Sequence, residues 1–132
     1  MIGLDTHVLA RYFVRDDAAQ HQRAARLIER ECRPDAPGRI ALVTMCELVW
    51  VLSSGYGYAR KDIARLLQGI LTAADLEVEQ APLAWDAWRL YQAGKVDFAD
   101  YLIGLTHRKA GVAAVYSFDR KAVAEKVFAP VP

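Results

Sequence analysis

The chain opens with MIGLDTHVLARYF, residues 1–13, and this stretch decides how the rest of the sequence is interpreted. An apolar run over residues 1–4 predicts a short strand, which ends at Asp5. The apolar residues that follow, Val8, Leu9 and Tyr12, have the spacing of a short helix. A strand that gives way to a helix at an acidic residue is thus the first motif of the chain.

Strand and helix patterns alternate along the whole sequence. Further strands are predicted at residues 40–43, 76–78 and 112–116, with an edge strand at 127–128. Helices are predicted from Asp16 or Asp17 to about Glu31, from Thr44 to about Gly55, through Ile63 to Leu71, from Pro82 to Gly94, from Asp97 as a central apolar helix, and after Asp119. Such alternation implies right-handed crossovers and a mostly parallel sheet. The predicted fold is α/β, a three-layer α/β/α sandwich with a mostly parallel four- to five-stranded sheet, in a single domain over residues 1–132.

Four acids lie where an apolar run gives way to a helix: Asp5, Glu47, Asp100 and Asp119. In an open parallel sheet such positions share one edge, at the carboxyl ends of the strands, where ligands bind. Two carboxylates about 5 Å apart repel by roughly 3 kcal/mol at an effective dielectric constant of about 20. A cluster of four must stay partly protonated or hold cations, and ligands that are all oxygen suit Mg²⁺ or Mn²⁺. The pattern predicts a metal-dependent phosphodiesterase.

Each acid also has a simpler structural explanation. Asp5, Asp97 and Asp119 have the positions of helix N-caps, Asp100 has that of a first-turn acid favoured by the helix dipole, and Thr44 with Glu47 fits a capping box. Serine, threonine or asparagine would cap equally well without charge repulsion, so the joint occurrence of acids favours metal binding.

Composition describes an ordinary globular chain of 132 residues with a net charge of +1. If the four acids and Asp97 are sequestered, 17 basic residues face 11 acidic ones, and the remaining surface carries +6, which suits a phosphate backbone. Cys32 and Cys46 have no metal-binding spacing and are expected to be free thiols in a reducing compartment. No signal peptide or membrane span is recognisable, so a cytoplasmic protein is expected.

Five segments, in order, carry a family resemblance: residues 2–12, 47–52, 56–71, 97–103 and 117–120. Together they resemble the PIN-domain ribonucleases, specifically the VapC-type toxins of bacterial toxin–antitoxin pairs. The four acids stand in the positions of that family's acidic motifs. The resemblance covers nearly the whole chain, and the ordered set of motifs is more specific than any one of them.

The resemblance implies a hydrolase, an endoribonuclease that cleaves RNA with Mg²⁺ or Mn²⁺ as cofactor. Asp5, Glu47, Asp100 and Asp119 would be catalytic, and the same residues with Asp97 would hold the metal, while Thr6, His7 and Ser117 would support them. It also implies a cognate antitoxin protein as inhibitor and a homodimer, with the apolar helices at residues 44–71 as its interface.

One position departs from the family pattern: His7 stands where asparagine is usual. Histidine can hydrogen-bond within the site or titrate near neutral pH. Arg11, Arg15 and the basic face of the second helix, with Arg23, Arg26 and Arg30, are candidates for RNA binding, and Arg11 stands out because it follows Asp5 closely. Three aromatic residues, Trp85, Trp88 and Tyr91, fit either base stacking or a core or dimer interface.

Two alternative functions remain open from the sequence. A receiver-like signalling domain has the same size and a phosphoacceptor aspartate, but usually carries paired acids after its first strand, where this chain has Asp5 alone. A PIN-like module that binds RNA or a partner without cutting is the other alternative, and His7 is the residue that favours it.

Overall fold

The computed structural model describes residues 1–132, which form two compact units, Met1–Ala81 and Pro82–Pro132. The N-terminal unit contains α1 Thr6–Phe13, α2 Ala18–Glu31, β1 Gly38–Ile40, α3 Leu42–Trp50, a π-helical turn Val51–Gly55, α4 Arg60–Thr72 and β2 Leu76–Val78. The C-terminal unit contains nearly all of α5 Ala81–Ala93, followed by α6 Phe98–Lys109, β3 Tyr116–Ser117, α7 Arg120–Ala124 and β4 Ala129–Pro130. The single domain expected over residues 1–132 stays a prediction.

In the N-terminal unit, β1 is hydrogen-bonded on both edges. It pairs in parallel with β2, with Arg39 opposite Glu77. On the other edge the Leu4 N–H donates to the Arg39 carbonyl at 2.9 Å, and the Arg39 N–H donates to the Ile2 carbonyl at 2.8 Å. The predicted first strand therefore pairs with β1, although only through a short bridge at Gly3.

Helix α3 begins two residues earlier than predicted, so the strand expected at 40–43 ends at Ile40. Ala41 at the N-cap has no side chain that can accept a hydrogen bond. The carboxylate of Glu79, just beyond β2, accepts the Leu42 N–H at 2.9 Å in its place. Thr44 consequently lies inside the helix, and the predicted capping box with Glu47 is wrong.

The core of the N-terminal unit comes from one face of each helix and the inner side of β1. Its largest fully buried side chains are Leu9, Ile40, Met45, Leu48, Leu52, Ile63, Leu67 and Ile70. Each contributes about 1.5–3 kcal/mol by leaving water. This packing holds α1 and α3, the helices that carry Asp5 at one N-cap and Glu47, in fixed positions.

In the C-terminal unit, β3 and β4 pair in parallel over two residues each. The strand expected at 112–116 is mostly absent because Val112 belongs to the end of α6. Its N–H donates to the His107 carbonyl at 3.0 Å, and the N–H of Gly111, at φ +80°, donates to Arg108 at 3.0 Å. These are the two bonds of a Schellman motif, which requires a residue such as glycine at the positive φ.

Two further expectations for this unit differ from the structure. The N–H groups of Val127 and Phe128 both donate to the Ala122 carbonyl, so they close α7, and the strand follows at Ala129–Pro130. Helix α6 is buried at Phe98, Tyr101 and Leu102, whereas Ile103 is 44% exposed, so a fully central helix is not confirmed.

The chain is an α/β protein with short parallel strands. The strands form two separate two-stranded ladders, and a single three-layer sandwich with four to five strands is not confirmed. None of the helices is both long and apolar enough to cross a membrane.

Candidate functional site

Asp5 presents an uncommitted carboxylate at the start of α1. The residue occupies the N-cap position, yet its side chain makes no capping hydrogen bond and is exposed. The backbone just before it is fixed by the bond from Leu4 to Arg39. Asp5, Arg39 and Thr44 line one surface depression of about 480 Å³. The capping explanation of this acid is therefore wrong, and its carboxylate is available to a ligand.

Thr6 and His7, which follow Asp5, have different environments. The Thr6 side chain is 3% exposed, and its hydroxyl has no hydrogen-bond partner. A buried hydroxyl without a hydrogen-bond partner destabilises the folded state by about 1–3 kcal/mol, so its presence beside Asp5 calls for an explanation. His7 is exposed and lines a groove between α1 and α2.

Glu47 lies on the exposed face of α3. Val43 and Trp50, four residues before and three residues after it, share that face and are 65% and 68% exposed. Trp50 was not singled out from the sequence, because an apolar helix gives no sign of which aromatic residue stays outside. Neighbouring Cys46 is a free thiol whose pKa is raised chiefly by burial and also by the Glu47 charge.

The three candidate acids of the C-terminal unit, Asp97, Asp100 and Asp119, interact electrostatically. Burial raises the pKa of Asp100, and the negative charges of Asp97 and Asp119 raise it further. Asp97 occupies the N-cap position of α6 and Asp100 its first turn, while Asp119 precedes α7. The unit thus brings together three of the acids that the sequence selected.

The side chains of Asp97 and Asp119 differ in their bonding. Asp97 makes no side-chain capping bond. Asp119 does cap α7, since one carboxylate oxygen accepts the Ala122 N–H at 2.9 Å. The Asp119 N–H in turn donates to the Ser117 hydroxyl at 3.0 Å. Ser117 therefore fixes the backbone at Asp119 and does not contact its carboxylate through this bond.

Two residues that the sequence did not suggest hold the loop before Asp97. The Glu125 carboxylate accepts the Lys95 N–H at 2.7 Å and the Tyr101 hydroxyl at 2.5 Å. The Tyr101 oxygen also accepts the Val96 N–H at 3.3 Å. A side chain at Gly94 would collide with both groups, so glycine is required by close approach. Gly94 was the feature of the sequence that could have indicated this close approach.

Arg11 is engaged by its own unit. Its guanidinium donates to both Asp16 oxygens at 3.0 Å and to the Tyr56 hydroxyl at 3.2 Å. The hydrogen bond to Asp16 raises the pKa of Arg11. Burial alone would raise the pKa of Asp16, but the bonds from Arg11 and Tyr56 outweigh it and lower that pKa. Arg15, the other candidate, is exposed and makes no ion pair.

The aromatic residues of α5 divide into two groups. Tyr91 is buried and packs edge-on against Phe98 at 5.8 Å between ring centroids. Trp85 and Trp88 are partly exposed and meet edge-to-face at 5.5 Å. Tyr91 is thus a core residue, and base stacking stays a prediction for the two tryptophans.

In neither unit does a group of three or more His, Cys, Asp or Glu side chains lie close enough to hold a metal ion. The joint site of Asp5, Glu47, Asp97, Asp100 and Asp119 stays a prediction.

Comparison with known proteins finds one family and one relative. The sequence model of the PIN domain matches residues 2–127. A VapC ribonuclease from Aquifex aeolicus is 35% identical over 75 residues, which span 57% of this chain and 56% of that relative. No solved structure matches the chain.

Proposed function

Because the chain belongs to the PIN-domain family, we propose that it is a metal-dependent endoribonuclease that hydrolyses phosphodiester bonds in RNA. The observation that carries the proposal is that Asp100 is partly buried near the negative charges of Asp97 and Asp119, so that burial and these charges both raise its pKa. Carboxylates whose like charges repel one another and shift their pKa values are typical of functional sites. The family match over residues 2–127 favours this function over a receiver-like signalling domain.

The donor atoms suit the proposed ion. Asp97, Asp100 and Asp119 offer only oxygen, and the Asp97 side chain makes no capping bond that would compete. Asp5 and Glu47 of the N-terminal unit are the further proposed ligands, and both are exposed. When bound, Mg²⁺ or Mn²⁺ supplies an activated water and offsets charge on the scissile phosphate.

The remaining residues of the site have supporting roles in this proposal. Ser117 and the Ala122 N–H orient Asp119 from two sides. Tyr101 and Glu125 hold the loop from which Asp97 emerges. Preorganised carboxylates give up little conformational entropy when the ion binds.

The biological setting is part of the proposal. The relative carries the name VapC ribonuclease, and VapC-type proteins are the toxins of toxin–antitoxin pairs, so we propose a cognate antitoxin as inhibitor. We also propose a homodimer through residues 44–71, where the exposed Val43 and Trp50 flank one end of the segment. A cytoplasmic location fits the two free cysteines.

The finer description of the fold is proposed with the function. We propose one mostly parallel sheet of four to five strands within a three-layer sandwich. The parallel pairing inside each unit supports it.

The decisive experiment is a cleavage assay with purified, antitoxin-free protein and structured RNAs. Mg²⁺ or Mn²⁺ is compared with EDTA, and the wild type with Asp5→Asn. Cutting that needs the ion and is lost in Asp5→Asn supports the proposal. Binding of Mn²⁺ without any cutting supports the non-catalytic alternative. Absence of both overturns the metal site.

A further inference from the structure

A groove of about 440 Å³ runs between α1 and α2 of the N-terminal unit. This volume is within the usual range for binding sites of small organic groups. The groove is separate from the depression beside Asp5 and is not explained by the acidic residues.

The floor of the groove is apolar. Val8 and Ala24 are partly or fully buried there, and Leu27 leaves 37% of its surface in contact with solvent. Covering an exposed leucine with a flat apolar group removes apolar surface from water, and this favours binding. The floor therefore suits the face of a ring better than it suits a hydrated ion.

The rim of the groove is cationic. Arg11 and Arg23 line it together with His7, and no aspartate or glutamate does. Arg23 is exposed and forms no ion pair, whereas Arg11 forms an ion pair with Asp16. Gln20, also at the rim, carries an amide that can both donate to and accept from a polar ring edge. Charge complementarity thus calls for an anionic ligand that also has flat apolar surfaces.

The groove begins close to the first acidic motif. His7, which lines one part of it, follows Asp5 by two residues on the same helix start. Single-stranded RNA has the required chemistry, since its phosphates are anionic and its unpaired bases present flat faces.

We propose that this α1–α2 groove binds the single-stranded part of the RNA substrate, with one base on Leu27 and a phosphate on Arg23. The assignment rests on the proposed ribonuclease function for the identity of the ligand. The sequence suggests the basic face of the second helix as well as Arg11, and of these Arg23 lines the groove without the ion pair that engages Arg11.

The test measures binding without cleavage. A short fluorescein-labelled single-stranded RNA of mixed sequence is titrated in EDTA, by fluorescence anisotropy, from about 50 to 200 mM salt. Arg23→Gln is expected to weaken binding about threefold or more and to reduce the slope of log K against log salt by about 0.7. Arg65→Gln, the same change at an exposed arginine of α4, is the control and should change neither.

The floor is tested separately. Leu27→Ala is expected to weaken binding about twofold to fivefold with an unchanged salt slope, because it removes an apolar contact and no charge. Leu90→Ala, at an exposed leucine of α5, is the matched control and should bind as the wild type does.

Several outcomes would overturn the proposal. The proposal is overturned if Arg23→Gln and Arg65→Gln bind single-stranded RNA with equal affinity and equal salt slope. The groove would then bind another ligand, such as an acidic peptide of a protein partner. No binding of single-stranded RNA by the wild type would overturn the proposal as well. RNA binding that depends on Arg23, without any cutting in Mn²⁺, would retain the groove and refute the nuclease. RNA cleavage by the wild type, together with unchanged RNA binding by Arg23→Gln, would retain the nuclease and overturn the groove proposal.

Discussion

The Tyr101 hydroxyl donates a hydrogen bond of 2.5 Å to the Glu125 carboxylate, and the pair holds the loop that leads into Asp97. Tyr101 lies on α6 and is 1% exposed, whereas Glu125 follows α7. A bond between these two elements fixes the position from which two acidic motifs, at Asp97 and Asp119, project.

Tyr101→Phe should therefore destabilise the protein while keeping the ring in the core. The change removes a charge-assisted hydrogen bond and the acceptor for the Val96 N–H, and a loss of about 1.5–3 kcal/mol in the free energy of unfolding is expected. Urea denaturation measures it. Tyr116→Phe, the same change at a 62% exposed tyrosine of β3, is the control. Equal stability of both variants would show that the bond contributes nothing.

Asp100→Asn should stabilise the metal-free protein at neutral pH. Folding raises the pKa of Asp100 above its usual 3.8, through burial and through Asp97 and Asp119, so the folded state favours the protonated form. That contribution to stability is present below pH 3.8 and is lost as the pH rises through the higher folded pKa. The advantage of the asparagine variant should consequently grow with pH.

Urea denaturation in EDTA, repeated from about pH 4 to about pH 7, follows this difference. Asp62→Asn is the matched control, because Asp62 also lies in the first turn of its helix and pairs with Arg65 at 3.8 Å. A stability difference between wild type and Asp100→Asn that stays constant with pH would contradict the electrostatic explanation.

The helices could be predicted because their signals are local. The period of Ile63, Leu67 and Ile70 was sufficient for α4, and Asp17 caps α2 as expected by accepting the Gln20 N–H. Such signals involve residues three or four positions apart and need no knowledge of distant contacts.

The strand boundaries failed because they depend on distant partners. Glu79 starts α3 from a position 37 residues further along the chain, and no pattern near Leu42 reveals it. The end of α6 is a different case, since Gly111 was a visible signal for a helix terminus. The apolar run after it was interpreted as strand although Val112 bonds back to His107.

The sequence did not show which of the candidate arginines are engaged by other side chains. The arginine closest to Asp5 in sequence, Arg11, is engaged by Asp16 and Tyr56, and side-chain pairing of this kind is invisible in composition. Arg23 on α2 faces the groove only because α1 packs beside it.

Thr6→Val should stabilise the protein and impair the proposed activity. The buried Thr6 hydroxyl has no partner, so replacing it by a methyl group of similar shape should raise the free energy of unfolding by about 1 kcal/mol. Cleavage should fall if the hydroxyl orients Asp5 or its ligand. Thr44→Val, at the other buried threonine, should bring no such gain, because Thr6 alone has a buried oxygen without a partner. If Thr6→Val is more stable than the wild type and cleaves RNA equally well, the Thr6 hydroxyl has no part in the site.

Asp16→Asn should strengthen RNA binding by releasing Arg11 to the α1–α2 groove. The bonds from Arg11 and Tyr56 keep the pKa of Asp16 low, so this carboxylate stays charged and competes with a phosphate for Arg11 at neutral pH. Affinity for single-stranded RNA is expected to rise about threefold, with a salt slope steeper by about 0.7. Asp35→Asn makes the same change in net charge in a loop outside the groove and is the control. A fall in affinity would mean instead that Asp16 holds Arg11 in the orientation that RNA requires.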